Sequence, residues 1–156
     1  MPILPAKKWI GGPSAIYKQS IRILLMAFRK LSMRILPDRL AVCRFETRAS
    51  LPDWIDQPGF YSITRTAEEL SVVCSEARVT PGAESEAGWR CFQLLGPFSF
   101  SEIGVISSLI QPLTESGVSV FVISTFDTDY LMVKEKNLAK AIDALTAKGH
   151  QVILED

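Results

Sequence analysis

Histidine is nearly missing from this chain: His150 is the only one in 156 residues. Cysteine is limited to Cys43, Cys74 and Cys91, far apart and each inside an apolar run. A metal site would want closer pairs and histidines, so none is expected, and no cofactor either. The odd, scattered thiols predict buried free cysteines in a reducing compartment, hence a cytoplasmic protein. Acidic residues are absent from residues 1–34, which carry Lys7, Lys8, Lys18, Arg22, Arg29, Lys30 and Arg34. Ten basic residues then face seventeen acidic ones in 35–156, a body acidic by seven. Phosphate binding needs a basic surface, which argues against nucleic acid as the main partner. The N-terminal apolar run is too short and too charged to span a membrane. No Ser-His-Asp or Cys-His constellation and no Walker-type loop is visible, and the chain reads as no enzyme. The catalytic alternative is an acid–base pair drawn from Asp127, Asp129 and Glu102, with Cys91 or His150 as further candidates. Paired carboxylates at a turn are common without catalysis.

What is present is a core. At 47% hydrophobic residues the chain can form one domain or two small ones. Residues 1–36 read as a basic extension: irregular through Pro2, Pro5, Gly11, Gly12 and Pro13, then an amphipathic helix over 14–31 around Ile21, Leu24, Leu25 and Phe28. A packed helix, a tail, translation begun upstream of a truer start at Met33, and a targeting or surface-binding helix all remain open.

From residue 37 the pattern is regular. Strands are expected at 40–45, 60–64 and 70–74, the last two joined by a polar turn, in an abbreviated unit over 37–78. A Pro/Gly/Glu-rich connector follows over 79–88. The unit at 89–156 opens with the apolar run Trp89–Leu95, closed by Gly96-Pro97. Ser99 with Glu102 three residues on forms a capping box, predicting a helix from Ser99 to Ser116 with Ile103, Ile106, Leu109, Ile110 and Leu113 on its inner face and Gly117 at its end. Strand 118–124, polar turn 125–129, strand 131–133, helix 136–148 and strand 152–154 complete β-α-β-β-α-β, the ferredoxin-like split βαβ order of an α+β fold. A sixty-residue shift lays Ile63, Thr64, Glu69 and Val73 on Ile123, Ser124, Asp129 and Val133, so the two units read as a tandem repeat with a degenerate first copy. Trp54, Trp89 and Phe92 read as core anchors, and His150 beside Gly149 as a helix end.

The stretch GPFSFSEIGVISSLIQPLTESGVSVFVISTFDTDYLMV resembles an ACT domain, of the variety found in CASTOR-type arginine sensors and their small bacterial relatives. TRTAEELSVVC, residues 64–74, fits the degenerate ACT unit that precedes it in those proteins. The resemblance implies a regulatory protein that binds a small molecule, an amino acid, at an interface between ACT units. It implies a ligand site at Phe98, Ser99, Glu102 and Gly104 in the loop opening the first helix, at Thr125, Phe126 and Asp129 in the hairpin, and at Ser119 and Val120 on a strand of a neighbouring unit. Helix-start N–H groups suit a ligand carboxylate, while Asp129 or Glu102 suits an ammonium or cationic group. Without the resemblance, Ser99 and Glu102 are equally a cap, Thr125 to Asp129 ordinary turn formers, and Ser119 and Val120 plain strand residues. A homodimer and a regulated protein partner are expected. The alternative is a ligand-free module docking on an enzyme or transporter.

Overall fold

A computed structural model of the protein describes residues 30–154, and the expected helix at 14–31 lies almost wholly outside them. Eight strands form one mixed sheet: β1 (Ser32–Ile35), β2 (Leu40–Phe45), β3 (Ser62–Arg65), β4 (Leu70–Ser75), β5 (Glu84–Leu94), β6 (Val120–Ser124), β7 (Asp129–Lys134) and β8 (Gln151–Ile153). Two helices, α1 (Val105–Glu115) and α2 (Leu138–Ala147), separate β5 from β6 and β7 from β8. This is the α+β, ferredoxin-like arrangement. The β3–β4 and β6–β7 hairpins belong to the short and long units respectively.

β5 is the spine. On one side it pairs antiparallel with β7, and β7 with β6. On the other side it pairs first with β2 and then with β1, which follow one another along it as a strand broken near Leu36 to Arg39. β4 and β3 extend the sheet beyond β2. β8 lies parallel to β1, not beside β5. Residues 32–35, expected in the N-terminal extension, therefore form a sheet strand between the first and last strands of the long unit.

Period-2 alternation in β5 sends Phe92 and Leu94 to the helical face and Trp89 and Cys91 to the other. Leu109 and Leu113 of α1 and Ala141 and Leu145 of α2 close the first face over Met33, Ile35, Leu131 and Val133. On the second face Trp89, Cys91 and Met132 meet Leu40 and Val73, which joins the two units through a shared apolar layer. The outer face of the short unit buries Cys43, Leu70, Val72 and Cys74 under the segment carrying Trp54. All three cysteines are free and buried. Both helices end in the same device: Gly117 and Gly149 take positive φ, and the following N–H groups of Val118 and His150 return to Leu113 and Leu145.

Two element starts lie five or more residues from expectation, and the other expected boundaries move by one or two. β5 begins at Glu84, inside the expected connector, although Glu and Gly are poor strand formers. Pairing with β2 overrides that preference, and Arg44 ties Glu69 at 3.0 Å and Glu84 at 3.6 Å across the strands. α1 begins at Val105, six residues after Ser99. The capping box forms in part, since the Ser99 N–H donates to Glu102 Oε1 at 2.9 Å. Its Ser99 hydroxyl turns instead to Ser101, and Gly104 at φ 89° takes the N-cap position, a conformation that stops helix from propagating backwards. Ile103 is thus outside the helix and exposed.

Candidate functional site

The β6–β7 hairpin is pinned before anything binds near it. Thr125 Oγ1 donates to the Thr128 carbonyl at 2.8 Å and accepts the Thr128 N–H at 3.3 Å. The hairpin is then fastened to the loop leaving β5: Phe98 N–H donates to the Asp127 carbonyl at 2.9 Å, and Thr128 Oγ1 donates to the Leu94 carbonyl at 2.7 Å. Gly96 lies in the same join. A Cβ there would sit 2.7 Å from the Asp127 carbonyl oxygen.

This fastening leaves a cleft of about 300 Å³ between the 98–104 loop with the first turn of α1 on one wall and Ser124 to Asp129 on the other, near the lower end of the size range of ligand pockets. Glu102, Asp127 and Asp129 line it, and among the described residues no Lys or Arg does. Ser99, Ser107, Ser124, Thr125 and Thr128 add hydroxyls. The first wall includes the start of α1, where Ser108 N–H makes the first bond back, to Gly104 O at 3.0 Å. The N–H groups ahead of it have no intrahelical acceptor, and the helix dipole is positive there. The cleft thus presents anionic side chains and a partial positive pole within one space. That combination suits a ligand carrying both charges. Asp129 is aligned by a 2.5 Å hydrogen bond from the Ser124 hydroxyl. At the mouth Phe100 and Phe126, 79% and 78% exposed, meet edge to face at 5.2 Å.

Of the expected residues, Phe98, Ser99, Glu102, Gly104, Thr125, Phe126 and Asp129 all line this cleft. Ser119 and Val120 do not: they stand at the opposite end of β6 from Ser124. The lining residues Phe100, Ser107 and Asp127 were not singled out as ligand contacts, nor were the joining residues Gly96 and Thr128. Only the Gly96-Pro97 turn signal hinted at the join. The repeat also shifts by one residue. Thr66 organises the β3–β4 turn as Thr125 does β6–β7, and Ser124↔Asp129 corresponds to Arg65↔Leu70. Asp129 therefore answers to Leu70, and Glu69 answers to Thr128. With its carboxylate on Arg44, Glu69 offers no second acidic cleft.

Among the described residues no group of three or more His, Cys, Asp or Glu is placed to hold a metal ion. No described helix is long and apolar enough to cross a membrane.

A family model of the ACT domain matches residues 84–147, and a second model, of an N-terminal domain, matches residues 38–81. The chain is similar to the rat cytosolic arginine sensor for mTORC1 subunit 1, 30% identical over 99 residues, covering 63% of this chain and 29% of the rat protein. It spans under a third of that relative's length. A crystal structure of an Agrobacterium tumefaciens protein superposes at a TM-score of 0.77 with 40% identity, covering 82% of this chain and 96% of that one. Aspartate kinase of Clostridium acetobutylicum shares the fold at a TM-score of 0.57 and 10% identity, over 73% of this chain and 34% of the kinase.

Proposed function

We propose that this chain, whose residues 84–147 match the ACT-domain family, is a regulatory protein that binds a free amino acid in the cleft between the start of α1 and the β6–β7 hairpin. The observation that carries the reading is the juxtaposition of Glu102, Asp127 and Asp129 with a helix N-terminus in a cleft that no Lys or Arg lines among the described residues. The ligand carboxylate takes the helix-start N–H groups, and its ammonium or cationic side chain takes Asp129 and Glu102. Similarity to a protein described as an arginine sensor supports an amino acid as the ligand class. The reading assigns the chain no catalytic step and a cytoplasmic location.

Two copies complete the site. The exposed Phe100, Ile103 and Phe126 form an apolar rim around a polar cleft, a surface suited to cover by a second chain. In a homodimer, Ser119 and Val120 of the second copy supply the remaining wall. Ligand then favours one dimer arrangement, and a protein partner that prefers this arrangement binds more tightly.

The test is thermal unfolding of the chain with each of the twenty amino acids at millimolar concentration. Ligand at a hundredfold excess over Kd stabilises by about 2.7 kcal/mol, several degrees for a chain of this size. A shift with one or two amino acids, abolished in Asp129→Ala with the fold intact, is the expected result. No shift with any amino acid overturns the reading. The same apolar rim then favours the second reading, a ligand-free module that docks on another protein.

A further inference from the structure

His150 is 5% exposed and occupies a seam where three elements meet. Its backbone N–H closes the end of α2 on Leu145 O. Its ring reaches elsewhere. Nδ1 lies 3.2 Å from the Leu31 backbone nitrogen, and Nε2 lies 3.2 Å from the Ser108 carbonyl oxygen.

Both partners have fixed roles, and together they fix the ring's tautomer. Leu31 N–H can only donate, so Nδ1 must carry a lone pair. The Ser108 carbonyl can only accept, so Nε2 must carry the hydrogen. In α1 that carbonyl would ordinarily receive the N–H of the residue four positions on, but that residue is Pro112, which has none. The imidazole thus satisfies a helix carbonyl that the proline leaves open, and with its other nitrogen holds the residue that leads into β1. Leu31 O in turn accepts the Gln151 N–H at 2.8 Å, and the parallel pairing of β1 with β8 continues from there.

We propose that His150 is a proton-sensitive latch that holds β1 in its place between β5 and β8 and ties that seam to the helix whose first turn lines the cleft. A second ring proton would have to go on Nδ1, setting N–H against the Leu31 N–H. The ring would keep Ser108 and lose Leu31. Acid therefore opens the seam specifically at the entry to β1, while the α1 contact remains.

Among the described residues, charged groups around the ring do little to offset this. The charges of α1 and α2 are Glu115, Lys140 and Asp143, and Glu115, the last residue of α1, pairs with Lys148 at 3.3 Å. β8 carries none, and β1 carries Arg34, whose Nε bonds Gln93 at 2.8 Å. The Lys30 side chain lies over Gly149. Burial dominates, and it pushes the imidazole below its usual range, against the smaller effect of the Ser108 bond.

A single histidine makes the test direct. Imidazole 15N and 13C signals would be followed from pH 8 to 4.5 in the full chain, together with Leu31 amide exchange corrected for the intrinsic rate. The expected result is the Nε2–H tautomer at neutral pH. Leu31 protection should then fall with acid by up to about tenfold per pH unit within the titration window, while amides in the β2–β4 ladder hold theirs. In His150→Asn, whose Oδ1 can accept from Leu31 but does not titrate, Leu31 protection should lose this pH dependence. An Nδ1–H tautomer, or a ring that titrates while Leu31 stays protected, overturns the latch even if the variant fails to fold. Equal acid sensitivity in His150→Asn overturns it too.

Discussion

Gly96 approaches the Asp127 carbonyl so closely that even one methyl group would stand 2.7 Å from the oxygen. The two walls of the cleft are separated in sequence by most of α1 and β6, and this contact, with the Phe98 and Thr128 hydrogen bonds beside it, sets the distance between them. Gly96→Ala should therefore push the hairpin away from the β5 exit. Overpacking of this kind costs roughly 1–3 kcal/mol, read as a melting temperature several degrees lower. Amino-acid affinity should fall more than Tm alone predicts. A variant with unchanged Tm and affinity would mean that the walls are positioned by something else.

Phe100 and Phe126 contact each other at the mouth while remaining almost fully exposed. Replacing both with Ser should change the stability of the isolated chain by only about 0.5 kcal/mol or less, because little apolar area is buried there. In the homodimer reading the same change should shift the sedimentation profile toward monomer and weaken ligand binding together. Loss of binding by a chain that remains dimeric would leave the rings as ligand contacts only.

The thiols give a third prediction. Burial pushes Cys91 and Cys74 up to about 12, and in Cys74 the neighbouring Cys43 thiol adds to the effect. Cys43 is raised as well, mainly by burial. Thiolate is the reactive form. A thiol reagent at pH 8 should find almost no reaction in the native chain and three equivalents in denaturant. Rapid modification of one cysteine without unfolding would show that the apolar layers open locally.

The pH dependence of global stability follows from His150. Its folded-state value lies below the ordinary 6.5 because burial disfavours the imidazolium. The unfolded chain therefore takes up the proton first. The stability contribution is complete above about pH 6.5 and declines as pH falls from there toward the folded value. Glu86 and Glu115 are shifted in the other sense: each is held below the usual carboxylate value of 4.5, first by side-chain hydrogen bonds, from Lys134 and Gln111 respectively. Their contribution is present above 4.5 and is lost at still lower pH. Urea midpoints measured from pH 7.5 to 5 should decline in the native chain and stay level in His150→Asn. A level profile in the native chain would remove His150 as the source.

The sequence was most informative where one local pattern had one structural solution. The apolar run Trp89–Leu95, the apolar stripe of Leu109 and Leu113, and the glycine stops at 117 and 149 all point to the elements they form. Seven of the nine expected site residues share one cleft because the loop after β5 and the β6–β7 hairpin are both polar interruptions at the same edge of the core. What could not be read depends on distant partners. Glu84 to Gly88 become strand only because β2 lies beside them, and Ser99 loses the helix start to Gly104 once the 98–104 loop is fastened to Asp127. His150 read as a helix end, and its backbone does end α2. Its ring partners, Leu31 and Ser108, lie 119 and 42 positions away.

The placement of β1 also orders events during synthesis. This strand leaves the ribosome before either of its neighbours exists: Gln93, the partner of Arg34, follows 59 positions later, and His150 follows Leu31 by 119. Such distant contacts slow folding, since a long loop must close before they form. The short unit can pair its own β2, β3 and β4 as they emerge, whereas the long unit stays one strand short until β1 turns back to it. The two units are consequently interlocked rather than strung in series. Severing the chain between them would leave the piece from Glu84 onward with an unfilled slot in its sheet, and the strand that fits the slot would remain on the other fragment.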